Sequence, residues 1–582
     1  MKRSTILTLT IVLAVILVAL LIFAIVITPG ATDPTEPSVA PTQPTEATKP
    51  APTETEPVPT DPPTEPPTEP APTEPPTPTL DDVTGSDASD PKNLGISWEI
   101  LQSGSVIESF NRQESIHFGA GKDYFALPGV STFRGDNYRS GASYGTVDFS
   151  NHKLESIWNR EISALKKGTG SGSWSGCGWT GQPVIVQWDT QTRQIMNLYP
   201  EKKEKEDLVE VIYATLDGHI YFYDLQDGTY TRDPIDIGMA FKGAGSLDPR
   251  GYPIFYVGPG DLNESGKSPR MYAISLIDGS ILFEYGAGDS DRFRSWTAFD
   301  SAPLVHADSD TLIWPGESGL LYTIKLNTVY DKENGILTMD PDSIVKTRYS
   351  TSAGRTKGYE ASAIAVENYL YIADNGGILF CLDMNTMKLI WAQNVKDDIN
   401  ATPVFQWEDD GRGYLYMASS MEYANGTVYM SKIDACTGEF VWEVSFDNIY
   451  YDKSVSGGVL SSPLLGKKGT ALEGLIIHSI SRTPSYSGGL LVALDTDTGE
   501  IVWEKDLSLY CWSSPVAVYN DSGEAIVILC DSAGNAMMID GLNGEILTSI
   551  PLGANVEASP AVFNDIFVVG TRGMQVHGVK IS

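Results

Sequence analysis

The sequence predicts an all-β chain built as an eight-bladed β-propeller, and three observations carry that prediction. A hairpin unit recurs along the chain, a small-residue pair and proline open an apolar run ahead of the hairpins, and the two ends of the repeat region are complementary incomplete units. Repeats are read first because missing them mis-assigns the whole fold.

The clearest hairpin is Leu490 to Leu507, LLVALDTDTGEIVWEKDL. Leu490 to Leu494 reads as a buried strand, Asp495 to Gly499 as a turn and Glu500 to Glu504 as the start of the return strand. Asp495 can accept hydrogen bonds from the backbone that follows it, Thr498 does so more weakly, and Gly499 supplies the positive φ of a bulged turn. Ile501, Val502 and Trp503 are consecutive apolar residues, so this strand is expected to be covered on both faces. Degraded copies read KIDACTGEFVW from Lys432, CLDMNTMKLIW from Cys381, MIDGLNGEIL from Met538, AISLIDGSILF from Ala273 and FYDLQDGTY from Phe222.

The marker appears as SAPLV at Ser301, ATPVF at Ala401, SSPLL at Ser461, SSPVAV at Ser513 and ASPAVF at Ala558, with variants at Gly181 and Ala361. Between marker and hairpin lies another strand, such as Ala525 to Cys530. Each period of about 45 to 60 residues therefore holds four strands, which is one propeller blade. Lys153 to Ile162 reads as a fourth strand without the first three, with Trp158 in the place of Trp503. Val556 to Ser582 reads as three strands without a fourth. The N-terminal strand is expected to complete the last blade and close the ring, for a count of about eight.

These residues resemble the pyrroloquinoline-quinone-type (PQQ-like) propeller repeat, A-x-D-x-x-T-G-x-x-x-W. Ala493, Asp495, Thr498, Gly499 and Trp503 match it. The resemblance runs from about Lys153 to the end, with STFRGDNYRSG at Ser131 similar to the leader that often precedes such domains. It implies a quinoprotein-dehydrogenase-like fold; activity does not follow from fold.

The chain has 582 residues, 41% of them hydrophobic, and a net charge of −35, which argues against nucleic acid as a partner. Its five cysteines show no C-x-x-C spacing. Residues 1–4 carry Lys2 and Arg3 ahead of an uncharged apolar run, and 5–28 is expected to be a transmembrane signal-anchor helix with the remainder outside the cytoplasm. Residues 29–92 are rich in Pro, Thr and Glu and read as a disordered stalk. Residues 93–152 read as a leader packing on the propeller, and 153–582 as the propeller itself.

The six histidines are dispersed, with no metal-ligand spacing among them, and no G-x-S-x-G elbow or P-loop occurs. Trp158, Trp391, Trp442 and Trp503 hold a fixed blade position and are expected to pack between blades. The loops leading into the innermost strands converge on one channel mouth. Taking the residue three before each marker proline, or its equivalent, selects Thr180, Ser246, Asp300, Glu360, Asn400, Leu460, Trp512 and Glu557. With eight blades, Glu360 would face Glu557 across the channel, and Asp300 would face Trp512.

The sequence therefore predicts a ligand site of Trp174, Trp179, Trp296, Tyr359 and Trp512, with Arg294, Asp300, Glu360 and Glu557 as polar contacts. No catalytic residue, metal ligand or cofactor is predicted. The expected function is a membrane-anchored binding or scaffold module at the cell envelope, with a protein, peptide or glycan as ligand. The alternatives are a carbohydrate-binding propeller and a PQQ-dependent dehydrogenase. In that family's dehydrogenases a vicinal disulfide and a tryptophan sandwich the quinone and calcium lies near a catalytic Asp, but this sequence has no Cys-Cys pair.

Overall fold

A computed structural model describes residues 79–582, apart from 81, 169, 180, 353–357, 423–425 and 451–455. The expected membrane segment 5–28 and most of the stalk lie outside the described residues. Among those described, no helix is long and apolar enough to cross a membrane.

Among the described residues, eight sheets of at least four strands follow one another along the chain, and the four strands of each blade pair antiparallel. Blade one spans 184–236, two 246–285, three 304–350, four 364–394, five 404–446, six 464–507, seven 516–551 and eight 561–581. The ring closes as expected: Leu154–Glu161 pairs antiparallel with Gln575–Ile581 and supplies the fourth strand of blade eight.

The repeat consensus has a direct physical basis. Asp495 Oδ1 accepts from the amides of Asp497 and Thr498 at 3.0 and 2.8 Å, and from the Thr498 hydroxyl. Gly499 then turns the chain at φ 74°. A Cβ there would sit 2.8 Å from the ring of Trp442 in the preceding blade. That indole donates from Nε1 to Thr496 O at 2.9 Å. The same bond joins Trp158 to Leu225, Trp391 to Ala435 and Trp503 to Gly541. Each tryptophan therefore packs on the glycine turn of the next blade, as the sequence predicts.

The core lies between neighbouring sheets, where Ile477, Leu491, Ala493, Val527 and Ile539 pack together from blades six and seven. The outermost strands are covered less than predicted. Ile501 and Val502 are each 50% exposed, and only Trp503 is buried. Blades diverge with distance from the axis, so the fourth strand meets its neighbour only through a long side chain.

The leader does pack on the propeller. Ser97–Gln102 adds to the outer edge of blade three. Ordered packing begins before residue 93: Leu80 and Val83 are buried against blades four and five. Residues 129–147 then run along the inner strands, with Gly129–Val130 pairing on blade one and Ser143–Tyr144 on blade eight.

Candidate functional site

The marker sequence sets the geometry of the channel. In blades four to eight the residue before the proline position accepts, through its hydroxyl, the main-chain N–H of its counterpart one blade back. Ala302 donates to Ser362, Ser362 to Thr402, Thr402 to Ser462, Ser462 to Ser514 and Ser514 to Ser559, all at 2.9 to 3.1 Å. Small hydroxyl residues are needed because only they fit between adjacent inner strands and still accept this bond. The relay holds those strands level, so the residues three before the prolines meet at one mouth.

The channel is plugged by the leader motif STFRGDNYRSG. Arg134 donates to the carbonyls of Pro515 and Pro463, and Arg139 to those of Ala363 and Ala302. Both guanidiniums are buried, and burial pulls each down to about 10. Phe133, next to Arg134 in sequence, lines the pocket above the plug.

That pocket is a cavity of about 30 Å³, lined by Phe133, Trp179, Asp300, Glu360, Asn400 and Trp512 among others. Trp179 donates from Nε1 to Glu360 Oε1 at 2.6 Å, and its indole meets Trp512 edge-on at 5.6 Å. Its main-chain N–H points to Glu557 Oε2 at 3.4 Å. Trp179 therefore connects Glu360 and Glu557, the two carboxylates expected to face each other.

Asp300, Glu317 and Glu360 each present a carboxylate oxygen, and these oxygens lie within 4.8 Å of one another. Asp300 is buried, and neither of its oxygens has a hydrogen-bond partner among the described residues. Burial, reinforced by Glu360 and opposed by Lys242, pushes Asp300 up to about 6. Burial and the charges of Glu360 and Asp300 also raise Glu317, despite its ion pair with Arg294 at 2.8 Å. Asp398 rises to about 7 through burial and the charge of Glu360. Asn375 bridges Glu360 and Asp398, at 3.2 and 3.0 Å.

Lys242 is a second cation beside this cluster, and its charge opposes the rise of Asp300. Its ammonium lies 4.7 Å from the ring of Trp296, 5.0 Å from Trp174 and 5.6 Å from Trp179. Gly260 permits the approach, because a Cβ there would fall 2.2 Å from Asp300 Oδ1 and 2.6 Å from Lys242 Cδ.

The structure gathers most of the predicted residues and displaces one. Trp179, Asp300, Glu360 and Trp512 line the cavity. Trp174, Trp296 and Arg294 surround it through Lys242 and Glu317, and Trp174 also donates to Asp261 at 2.7 Å. Glu557 lies on the far side beside Arg572, at 3.8 Å. Tyr359 does not face the mouth: it is fully buried against Phe380 and Tyr349, because its side chain turns between blades three and four.

Ser246 is likewise displaced. It pairs with Tyr256 on the first strand of blade two, as Leu304 pairs with Ile313 in blade three. The residue equivalent to Asp300 is therefore Lys242. Blade two lacks the marker proline, so its register is invisible in the sequence. Glu317, Asn375 and Asp398 were also missed. Glu317 and Asn375 occupy the turn between second and third strands, which returns to the same mouth, and the repeated acidic turns LDG at Leu216, ESG at Glu317 and DNG at Asp374 were its signal.

The arrangement does not fit pyrroloquinoline quinone. The acidic cluster of Asp300, Glu317 and Glu360 repels a tricarboxylate, and the sequence has no adjacent cysteine pair to cover a quinone ring. The three carboxylates instead form a hard-oxygen donor set that suits a cation.

Residues 411–577 match the family described as outer membrane protein assembly factor BamB. The chain is 27% identical over 157 residues to a quinoprotein ethanol dehydrogenase of Pseudomonas aeruginosa, covering 27% of this chain and 24% of that protein. It is 24% identical over 161 residues to a 1-butanol dehydrogenase (quinone) of Thauera butanivorans, covering 27% and 25%. The chain thus spans about a quarter of the length of these relatives. Among solved structures, a quinohemoprotein alcohol dehydrogenase from Pseudomonas putida superposes with a TM-score of 0.51 at 14% identity, over 80% of this chain and 83% of that one. BamB from Moraxella catarrhalis gives 0.43 at 14% identity, over 74% and 98%. The likeness to the dehydrogenase structure is one of fold.

Proposed function

We propose that this PQQ-like β-propeller is a binding module whose channel mouth takes a cationic group of a cell-envelope protein or peptide. The observation that carries the reading is Asp300, a buried carboxylate with no donor on either oxygen, beside Glu317 and Glu360. Buried carboxylates gathered this closely gain from a cation, which relieves both their repulsion and their lost hydration. The tryptophan rings around Lys242 add faces that attract ammonium and guanidinium groups. Glycan hydroxyls would leave that charge uncompensated, so a basic peptide suits the mouth better. Anchorage through 5–28, with 29–92 as a stalk and the propeller outside the cytoplasm, completes the reading.

The test titrates the full chain with pentalysine and, separately, with calcium chloride while following tryptophan emission. A saturable change with pentalysine that weakens with salt and is lost in Asp300→Asn and Glu360→Gln supports the reading. Saturation by calcium alone replaces it with a metal site, and no saturable response to either probe rejects it.

A further inference from the structure

The other end of the plugged channel holds a second and larger cavity, of about 460 Å³. Its lining includes Lys122, Leu127, Arg134, Leu465, Lys467 and Tyr519, and it lies between the leader and the inner strands of blades six and seven.

Each inner strand turns one backbone edge toward the axis, and the leader satisfies those edges nearly all the way round. Leu247 donates to Ser131 O, Ala365 to Asn137 O, Phe405 to Tyr138 O and Val562 to Ala142 O, at 2.7 to 3.0 Å. Val305 donates to the Tyr124 hydroxyl at 3.2 Å, and Ile185 pairs with Val130. These residues occupy the same place in their blades, two beyond the proline position. The counterparts in blades six and seven are Leu465 and Ala517. Among the described residues neither amide has an axial partner. Both residues line the cavity.

A second observation points the same way. Arg134 spends its terminal nitrogens on Pro515 and Pro463, the prolines two before Ala517 and Leu465. Its buried Nε has no acceptor, and the side chain lines this cavity. Lys122 and Lys467 are exposed at the rim. The acidic residue of the lining, Asp136, is already engaged by Ser140 and the Tyr138 amide.

We propose that this groove binds an extended acidic peptide segment of a partner protein, which adds as a strand along the free edges at Leu465 and Ala517 and sets a carboxylate among Lys122, Lys467 and Arg134. Strand addition is the mode the leader already uses on the neighbouring blades, so the inner strands accept it without rearrangement. Main-chain bonds supply affinity, and the cationic rim selects an acidic sequence. The site is separate from the acidic mouth and has the opposite charge preference.

The probe is acetyl-Val-Thr-Val-Asp with a free C-terminus, added to the full chain in detergent while amide hydrogen exchange is followed. Exchange at Leu465 and Ala517 should slow at least tenfold at saturation. Lys467→Glu, an exposed change that leaves the melting temperature in place, should weaken binding at least tenfold, as should the neutral analogue acetyl-Val-Thr-Val-Asn-amide. Unchanged exchange at both amides up to millimolar peptide overturns the proposal. So does equal affinity for the acidic and neutral peptides, or for wild type and Lys467→Glu.

Discussion

The indole of Trp179 donates to Glu360 Oε1 at 2.6 Å, so a residue of the blade-one loop reaches over the channel mouth to blade four. Trp179→Phe keeps the aromatic area and removes the donor. A hydrogen bond to a charged group is worth about 1.5 to 3 kcal/mol, less where solvent reaches it, so a loss of about 1 to 2 kcal/mol is expected in chemical unfolding. Trp512, now only 6% exposed, should become more open to acrylamide quenching. Unchanged quenching would show that packing alone holds Trp179 against Trp512.

The buried acids predict a pH dependence with a definite sign. Asp300 and Asp398 are raised from 3.8 to about 6 and about 7, chiefly by burial. The folded chain then holds their protons more tightly than the unfolded chain, so their contribution is complete below about pH 4 and is lost as pH rises through 6 to 7. For Asp300 the loss is on the order of 3 kcal/mol. Melting temperature should fall between about pH 4 and 7, and Asp300→Asn or Asp398→Asn should flatten that fall relative to wild type. A profile unchanged in both variants would remove the acids as its cause.

Arg139 ties the leader to blades three and four through the carbonyls of Ala302 and Ala363, and also bonds Thr132 and Phe133 O. Arg139→Met preserves length and leaves those buried acceptors without donors. Leaving a buried acceptor unsatisfied costs about 1 to 3 kcal/mol, so a loss of at least that size is expected. Urea unfolding measures it, and a loss under about 1 kcal/mol would mean that water replaces the guanidinium.

Gly499→Ala meets two obstacles at once, a φ of 74° and the Trp442 ring 2.8 Å from the new Cβ. Strain and overpacking together should cost roughly 2 to 4 kcal/mol. Trp442→Ala should cost about 3 to 5 kcal/mol. In the double variant the glycine substitution should cost less than it does alone, since the ring it strikes is gone. Additive losses would deny the contact its importance.

The expected anchor makes a separate prediction for whole cells. External protease should cut within residues 29–92 and release a soluble propeller. Full-length protein that resists cleavage on intact cells, or secreted protein lacking residues 1–31, would contradict the anchor.

The sequence by itself determined the repeat, the turn chemistry, the role of the tryptophans and the closure of the ring. Those are local matters: Asp495, Gly499 and Trp503 act within one hairpin or on its neighbour, so their pattern survives in linear order. It also placed Asp300, Glu360, Trp179 and Trp512 at one mouth, because a marker proline or its equivalent set their height. Tertiary structure decided the rest. Lys242 joined the site through a blade whose marker is absent, and Tyr359 left it because burial turned its ring between sheets. Glu317 and Asn375 came from turns one strand beyond the expected loops. Neither the buried arginine plug nor the free edges at Leu465 and Ala517 could be read in linear order, since Arg134 and Arg139 find their acceptors more than 160 residues away, where only the closed ring brings them within hydrogen-bond reach.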